Sequence, residues 1–301
     1  MRQLFASLTF AVLAVTTAVT QAPRTFATPE EAVQALIRVV KADNVAELTT
    51  LFGPDAAELA DKDPTAARQN RKVFAVAAAE GWRLVDVDQN RKTLIIGNEA
   101  WPFPVPIVKT GTAWRFDTAA GKEEVVARRI GRNELAVIEA CRTYVAAQRR
   151  YAQAGHDGKP AGLFAMRVRS DPGTQNGLYW PVADGEKLSP LGDLVAKATH
   201  DGSLNPDAAG RLPFHGYYFR ILTAQGAAAP GGAKSYVVKG QMSGGFAMVS
   251  WPATYDVTGV MTFIISHDGV LYEKDLGAKT DSVARAMTRY SPDSSWRRTT
   301  P

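Results

Sequence analysis

Apolar and polar residues follow one period before residue 81 and another after it. Up to residue 80 the apolar residues recur every three or four positions, as on one face of a helix. From Trp82 onward they alternate with polar residues, as on a half-buried strand. A first helix is predicted to start at Thr28 and to carry apolar residues as far as Val40, with further helices at 44–52 and 66–80. The predicted strands are 82–87, 92–96, 103–109 and 114–117. The pattern therefore predicts a small N-terminal α+β domain over residues 23–120, with helices and an antiparallel sheet.

Three prolines alternate within one predicted strand, at Pro102, Pro104 and Pro106. Alternate backbone N–H groups of a strand point to the same side, so these prolines remove donors from one side only. Such a strand pairs on its other side and takes no second neighbour here, which favours an edge position. The alternative is a polyproline-II segment that a partner protein binds.

The longest helical pattern covers 121–154, and Gly131 and Asn133 are the positions at which it would kink or divide in two. A short helix at 190–199 and strands at 217–223, 236–239, 246–251, 260–266 and 270–274 are predicted to follow. Strand 260–266 is apolar on both faces, so it is predicted to be a central strand with the long helix on one side. The pattern predicts a second domain over 121–301, in which the long helix packs on an antiparallel sheet.

The N-terminal segment has the features of a secretory signal peptide. Arg2 supplies a positive charge, and residues 4–19 are apolar apart from Ser and Thr. This stretch is shorter than the ~20 residues of a spanning helix, and small residues follow it. Cleavage is expected after Ala18 or Ala22, so residues 1–22 are predicted to be removed and the mature chain to be periplasmic. The alternative is that this segment stays as an uncleaved membrane anchor. No other stretch of the sequence is long and apolar enough to span a membrane.

Composition and charge exclude several classes of protein. With 46% hydrophobic and 22% charged residues, the chain has the composition of a folded protein rather than a disordered one. Its 35 Lys and Arg are interspersed with 30 Asp and Glu, so a basic face for nucleic acid is not indicated. The single cysteine, Cys141, excludes an intramolecular disulfide and is expected to be buried on the long helix. The alternative, a nucleophile, needs a His and an orienting group nearby.

Several longer motifs together resemble one bacterial family. They are Ile130-Gly-Arg-Asn-Glu-Leu-Ala, Gly177-Leu-Tyr-Trp-Pro, Ser189-Pro-Leu-Gly, Gly216-Tyr-Tyr-Phe-Arg-Ile-Leu-Thr, Ala229-Pro-Gly-Gly-Ala, Gly244-Gly-Phe-Ala-Met-Val-Ser-Trp-Pro and Gly259-Val-Met-Thr-Phe-Ile-Ile. The family is that of domain of unknown function 2950, and the resemblance covers essentially the whole predicted mature chain. It implies an exported protein of Gram-negative bacteria and an uncharacterised activity, so it transfers no functional residue.

Two further resemblances concern single domains. The N-terminal helices and curved sheet are similar to the cystatin-like and nuclear-transport-factor-like folds, in which a helix lies across such a sheet. The stretch Ala140-Cys-Arg-Thr-Tyr-Val-Ala-Ala-Gln-Arg-Arg-Tyr, followed by an antiparallel sheet, resembles pseudopilin headgroups. The chain departs from a pilin because its apolar segment is a short signal, far from this domain, and not an assembly helix.

The residues that could carry chemistry match no catalytic or cofactor motif. Three of the four histidines, His156, His200 and His267, precede Asp-Gly. Asp-Gly is common in turns, so turns are the favoured interpretation and a shared metal site is the alternative. The spacings match no zinc template, and the chain has neither a phosphate-binding Gly-rich loop nor a Gly-x-Ser-x-Gly elbow. No metal and no cofactor is therefore predicted, and the catalytic residues are unknown.

The aromatic residues of the C-terminal domain suggest a binding surface. Tyr179, Trp180 and Trp251 lie in or beside turns rich in Gly and Pro, where exposed rings bind peptide, glycan or a protein partner. The alternative is that these rings close the edges of the core, with Trp180 folded inward. The segment 171–190 is long and turn-rich, which favours a recognition loop. His215 is the fourth candidate for a binding residue.

These observations favour a non-enzymatic envelope protein that supports assembly or binds a partner, either an envelope protein or a glycan. The alternative is a periplasmic hydrolase acting on cell-wall or other envelope material, with His, Asp and Ser brought together from distant positions. The positions of His215 and His267 distinguish the two hypotheses. A cleft with Asp and Ser within reach would favour the hydrolase, and separate turns would favour the binding protein.

Overall fold

The computed structural model describes residues 22–60, 64–183, 185–200 and 211–299. The helices are α1 (Pro29–Lys41), α2 (Val45–Phe52), α3 (Pro64–Glu80), α4 (Thr118–Ala152), α5 (Gly192–His200) and α6 (Thr280–Ala286), with 3-10 turns at Pro54–Leu59 and Gly277–Lys279. The strands are β1 (Trp82–Asp88), β2 (Arg91–Ile96), β3 (Trp101–Pro102), β4 (Ile107–Thr110), β5 (Ala113–Phe116), β6 (Tyr217–Leu222), β7 (Ala224–Gln225), β8 (Lys234–Ser235), β9 (Val237–Val238), β10 (Gln241–Met242), β11 (Ala247–Pro252), β12 (Met261–Ser266), β13 (Leu271–Asp275) and β14 (Arg297–Arg298). Every ladder between these strands is antiparallel, which confirms the predicted α+β class.

The described chain divides into two compact units, one up to Val125 and one from Val126. Helix α1 of the first unit begins with Thr28 as its N-cap. Thr28 Oγ1 accepts a hydrogen bond from the N–H of Glu31 at 3.2 Å, and Glu31 Oε2 accepts one from the N–H of Ala27 at 3.1 Å. These bonds satisfy N–H groups that the start of a helix leaves without partners. The buried face of α1 joins the strands in one core through Val33, Leu36, Val39, Leu94, Ile96, Ile107 and Phe116.

The sheet of the first unit has the strand order β1-β2-β4-β5, and β3 also pairs with β2. The predicted strand 103–109 begins only at Ile107, and Pro104 and Pro106 lie outside the strands. The strand that does form from this segment, β4, pairs with both β2 and β5, so the predicted edge position is wrong for it. The reason is that pairing begins at Ile107, after the last of the three prolines. Pro102 lies in β3, which has β2 as its neighbour in the described sheet. The polyproline-II alternative stays a prediction.

The sheet of the second unit has the order β14-β13-β12-β11-β6, with β12 at its centre. Ser250 of β11 lies opposite Phe263, and Val249 lies opposite Ile264, so the two pairs point to opposite faces. All four side chains are completely buried. The sheet is therefore covered on both faces, as the pattern of strand 260–266 predicts.

Helix α4 covers one face of this sheet and α6 covers the other. Cys141 Sγ of α4 lies 3.5 Å from Ser250 Oγ, and the cysteine is 1% exposed, so its predicted burial is confirmed. On the opposite face the indole N–H of Trp251 donates to Asp281 Oδ1 of α6 at 2.9 Å. The long helix therefore packs on the C-terminal sheet as predicted.

Helix α4 is one helix where the sequence allows two. It continues past Gly131 and Asn133 without a break. The side-chain amide of Asn133 donates to the carbonyl of Thr258 at 2.8 Å, so it does not compete for the backbone hydrogen bonds of its own helix. The helix also crosses the point between Val125 and Val126 at which the two units divide. Among the described residues, no helix combines the length and apolarity needed to cross a bilayer. The predicted signal peptide, 1–22, lies outside the described residues except for its last position.

Candidate functional site

A cleft of about 220 Å³ opens on the second unit beside the C-terminal end of α4. Its walls come from the end of α4, the loop that follows, and the start of β10. The lining residues are Tyr151, Ala154, His156, Asp157, Lys159, Pro160, Leu163, Phe164, Met166, Arg167, Asn176, Gly240, Gln241 and Met242. Apolar side chains and hydrogen-bonding groups share this lining, as they do in clefts that bind small molecules.

The turn after α4 is fixed by contacts with the segment around Gln175. The His156 ring stacks on Tyr151 with centroids 4.0 Å apart, and its Nδ1 lies 3.1 Å from Gln175 Oε1. Both carboxylate oxygens of Asp157 accept the backbone N–H of Gln175 at 3.0 Å. These contacts give the wall a defined shape.

Gly155 permits a close approach within the same turn. A Cβ built at this position would overlap the carbonyl oxygen of Lys159. Asp157 has a φ of 49° and Gly158 a φ of 75°, so two successive residues adopt the left-handed region. The turn interpretation of the first His-Asp-Gly sequence is therefore confirmed.

Hydrogen bonds within the loop hold the other part of the wall. Arg167 Nη1 donates to Asp171 Oδ1 at 2.7 Å, and the Asn176 amide donates to Asp171 Oδ2 at 2.8 Å. The buried amide of Gln148 bonds both backbone groups of Ala165 at 2.8 Å. The loop thus has a fixed shape without helix or long strand, because side chains satisfy its backbone groups.

Three charged side chains line the cleft, and each is engaged differently. The Lys159 side chain is exposed, and no partner of its ammonium is found in the part of the chain that the structure describes. Arg167 is paired with Asp171, and Asp157 accepts the backbone N–H of Gln175. Burial raises the pKa of the Tyr151 hydroxyl, and the charge of Asp157 raises it further. Tyr151 is therefore a neutral donor, to the carbonyl of Gln175 at 2.8 Å.

Two of the predicted binding residues lie next to this cleft without lining it. Trp180 is half-buried, and its ring meets the edge of His156 with centroids 5.6 Å apart. Tyr179 is also half-buried, with the guanidinium of Arg169 6.0 Å from its ring. Both aromatic rings pack against the core of the second unit. Trp180 therefore reaches the cleft through His156.

Trp251 and His215 lie elsewhere in the second unit. Trp251 is 4% exposed, which agrees with the alternative that this ring closes an edge of the core. The reason is that β11 continues through Pro252, which buries the indole in the sheet. His215 is half-buried in a turn with a φ of 46°, and its ring centroid is 4.4 Å from that of Phe214. Neither residue lines the cleft.

The described residues contain no arrangement typical of a nucleophile or a metal centre. His156, His215 and His267 lie in three separate turns, and no group of three metal-binding side chains occurs in this part of the chain. Burial raises the pKa of the Cys141 thiol to about 12, against the opposing hydrogen bond of Ser250. Cys141 is therefore a neutral thiol at physiological pH and not the nucleophilic thiolate.

Sequence reasoning missed the residues that form the cleft. In the sequence Lys159 and Gln241 are isolated polar residues far apart. They line one cleft because the N–H of Phe164 donates to the carbonyl of Met242 at 2.8 Å, which brings the loop alongside β10. The only signal was the length of the turn-rich region 155–190, and its first part contributes most of the lining.

The motifs that carry the family resemblance meet in the core instead. Glu134, in the motif that begins at Ile130, accepts the N–H groups of Val260 and Met261 at 2.9 Å each. Those two residues belong to the motif that begins at Gly259. The contacts join helix α4 to the entry of β12, so these motif residues have a structural role.

Comparison with known proteins gives one match. A family model described as Protein of unknown function (DUF2950) matches residues 23–299. No curated protein and no solved structure matches the chain. The resemblance to pseudopilin headgroups is therefore not supported.

Proposed function

The chain belongs to the family described as Protein of unknown function (DUF2950), and from its geometry we propose that it is an exported, non-enzymatic binding protein. Its recognition surface is the cleft beside α4. One observation carries the proposal. Hydrogen bonds within the chain fix the walls of the cleft, whereas two polar side chains that line it are left with donors and acceptors for a partner. The side chains of Lys159 and Gln241 make no hydrogen bond to any described residue. A site shaped in advance loses little entropy when a partner binds.

The N-terminal sequence supports export. Arg2 precedes an apolar run over 4–19, and small residues follow it. Removal of this segment delivers the mature chain to the periplasm. The partner is then a component of the cell envelope, either a protein or a glycan.

The alternative, a periplasmic hydrolase, has less support. The three described histidine side chains lie in separate turns, and the thiol of Cys141 is buried with a pKa of about 12. A hydrolase needs a nucleophile or activated water with a base within hydrogen-bond reach. The cleft offers shape and hydrogen-bonding groups, which suit binding.

A photo-crosslinking amino acid at position 166 tests the proposal. Met166 lines the cleft and is 43% exposed, whereas Val283 on α6 is 42% exposed and does not line it. The two positions are therefore a matched pair. In cells that express the full chain, irradiation should give an adduct of defined mass from position 166 and not from position 283. Equal adducts from both positions, or none from either, would contradict a binding role for the cleft.

A further inference from the structure

Part of the cleft lining is apolar and incompletely buried. Leu163 and Phe164 are half-buried, Met166 is 43% exposed, and Phe164 packs against the core of the second unit. Methionine adapts its shape to different apolar groups. The volume of the cleft is about 220 Å³. An enclosed cavity of ~150 Å³ accepts a benzene ring, so one large side chain fits here.

Two cationic side chains, Lys159 and Arg167, also line the cleft. Lys159 has no acidic partner among the described residues, and Arg167 uses Nη1 for Asp171, which leaves its other N–H groups for a ligand. Asp157 is the acidic residue of the lining, and both its oxygens share the one backbone N–H of Gln175, which fixes the carboxylate in place. A carboxylate bound here would make charge-assisted hydrogen bonds.

The aromatic rings that line the cleft, Tyr151, His156 and Phe164, each pack against another ring, which for Phe164 is that of Phe246. Tyr151 is 7% exposed and lies under the His156 ring at 4.0 Å. The second ring contact of His156 is with Trp180. A sugar packs its C–H face against an open aromatic face, and the cleft offers none on Tyr151. This arrangement favours a peptide over a glycan.

We infer that the cleft binds a peptide segment of a partner protein in which a carboxylate adjoins one large apolar side chain. This inference rests on the proposed binding role of the cleft. The apolar side chain contacts Phe164 and Met166, and the carboxylate pairs with Lys159 and Arg167. The amide of Gln241 exchanges hydrogen bonds with the peptide backbone.

Selection from a phage-displayed library of random heptapeptides tests this chemistry directly. The bait is the full mature chain, immobilised through a C-terminal tag. The enriched sequences should share Asp or Glu next to Leu, Ile, Met or Phe. Enrichment of sequences without an acidic residue, or no enrichment, overturns the inference.

Charge reversal in the cleft provides the second test, with the selected peptide carrying a fluorescent label. Lys159→Glu should weaken binding by about tenfold or more, since one charge-assisted hydrogen bond is lost and repulsion replaces it. Lys197→Glu is the matched control, because Lys197 is exposed on α5 and does not line the cleft. The control should bind as the wild type does. Equal affinities of Lys159→Glu and wild type overturn the inference.

The adduct at position 166 separates failure of this inference from failure of the proposed function. An adduct that proteases digest supports a peptide ligand. An adduct whose added mass is a sugar or a lipid overturns the peptide inference and leaves the binding role standing. The absence of an adduct at position 166 contradicts both.

Discussion

Gly259 lies against a buried tyrosine ring, and only a residue without a side chain fits there. A Cβ at this position would overlap the hydroxyl and ring of Tyr217, which is completely buried. The Tyr217 hydroxyl donates to the carbonyl of Met261 at 3.0 Å and to Glu134 at 3.3 Å. The motif Gly259-Val-Met is visible in the sequence, but Tyr217 is distant along the chain. The need for glycine therefore follows only from the folded contact.

Gly259→Ala should destabilise the chain by about 3 kcal/mol, because the new methyl group overpacks the core and displaces the Tyr217 hydroxyl. Urea denaturation measures the change in the free energy of unfolding. Gly131→Ala is the control, since a Cβ there meets nothing within 4 Å and the residue lies inside a helix. That variant should gain about 0.5–1 kcal/mol. Equal stability of the two variants would refute the close approach at Gly259.

Cys141 gives a second prediction at this scale, for alkaline pH. Its folded pKa of about 12 lies above the ordinary value of 9.0, so the folded state favours the protonated thiol. The stabilisation is complete below pH 9 and is lost as the pH rises toward 12. Between about pH 8 and about pH 10.5, the advantage of wild type over Cys141→Ala should fall by roughly 2 kcal/mol.

The measurement is the difference between the two unfolding free energies at each pH, so titrations common to both proteins cancel. A difference that stays constant with pH would show that Cys141 is not the buried thiol described. Thiol labelling provides an independent check. Native protein should react far more slowly than protein unfolded in urea.

Among the elements, those with strong periodicity were predicted best. The stripe of apolar residues predicted helix α4, but its start was placed at 121 and the helix begins at Thr118. The pattern predicts a domain boundary at Gly121. In the structure this glycine instead lets the helix approach Val105, because a Cβ there would lie 2.7 Å from Val105 Cγ2. A glycine in a sequence can mark a break or a close approach, and only the packed partner distinguishes them.

The loop between α4 and α5 was predicted to exist, but its shape was not. Turn residues such as Asp157 and Gly158 identify it in the sequence. Its shape depends on bonds between distant residues, such as that of the Tyr151 hydroxyl with the carbonyl of Gln175. The candidate site was therefore predicted in its region and missed in its lining residues. Trp251 left two interpretations open for the same reason, since its burial depends on sheet pairing.

Trp180→Ala tests how this loop supports the cleft. We expect a loss of about 2 kcal/mol, below the ~3–5 kcal/mol of a fully buried aromatic residue, because Trp180 is half-buried. The crosslink from position 166 should weaken as well, since His156 loses its ring contact. Trp296→Ala is the control, because Trp296 is partly buried on the same core and does not line the cleft. An unchanged crosslink in Trp180→Ala would contradict the supporting role.

At the scale of the whole molecule, the family match over 23–299 extends across two separate cores. Because the cores are separate, a cavity in one should affect mainly its own unit. Leu36→Ala should destabilise the first unit by about 3 kcal/mol, since Leu36 is 1% exposed in its core. Hydrogen–deuterium exchange should accelerate in α1 and β2 and stay unchanged in β12. Equal loss of protection in β12 would show that the two cores unfold together.

Export is the prediction that concerns the chain as an entire product. The apolar run over 4–19 is too short to serve as a spanning helix, so the signal peptidase should remove it. Intact mass of protein from a periplasmic extract should correspond to a start at Val19 or Pro23.

Pro23 hinders cleavage after Ala22, so Ala18→Arg should impair processing more than Ala22→Arg. Leu13→Arg interrupts the apolar run and should leave the precursor in the cytoplasm. A full-length wild-type product in the cytoplasm would disprove export and, with it, an envelope partner.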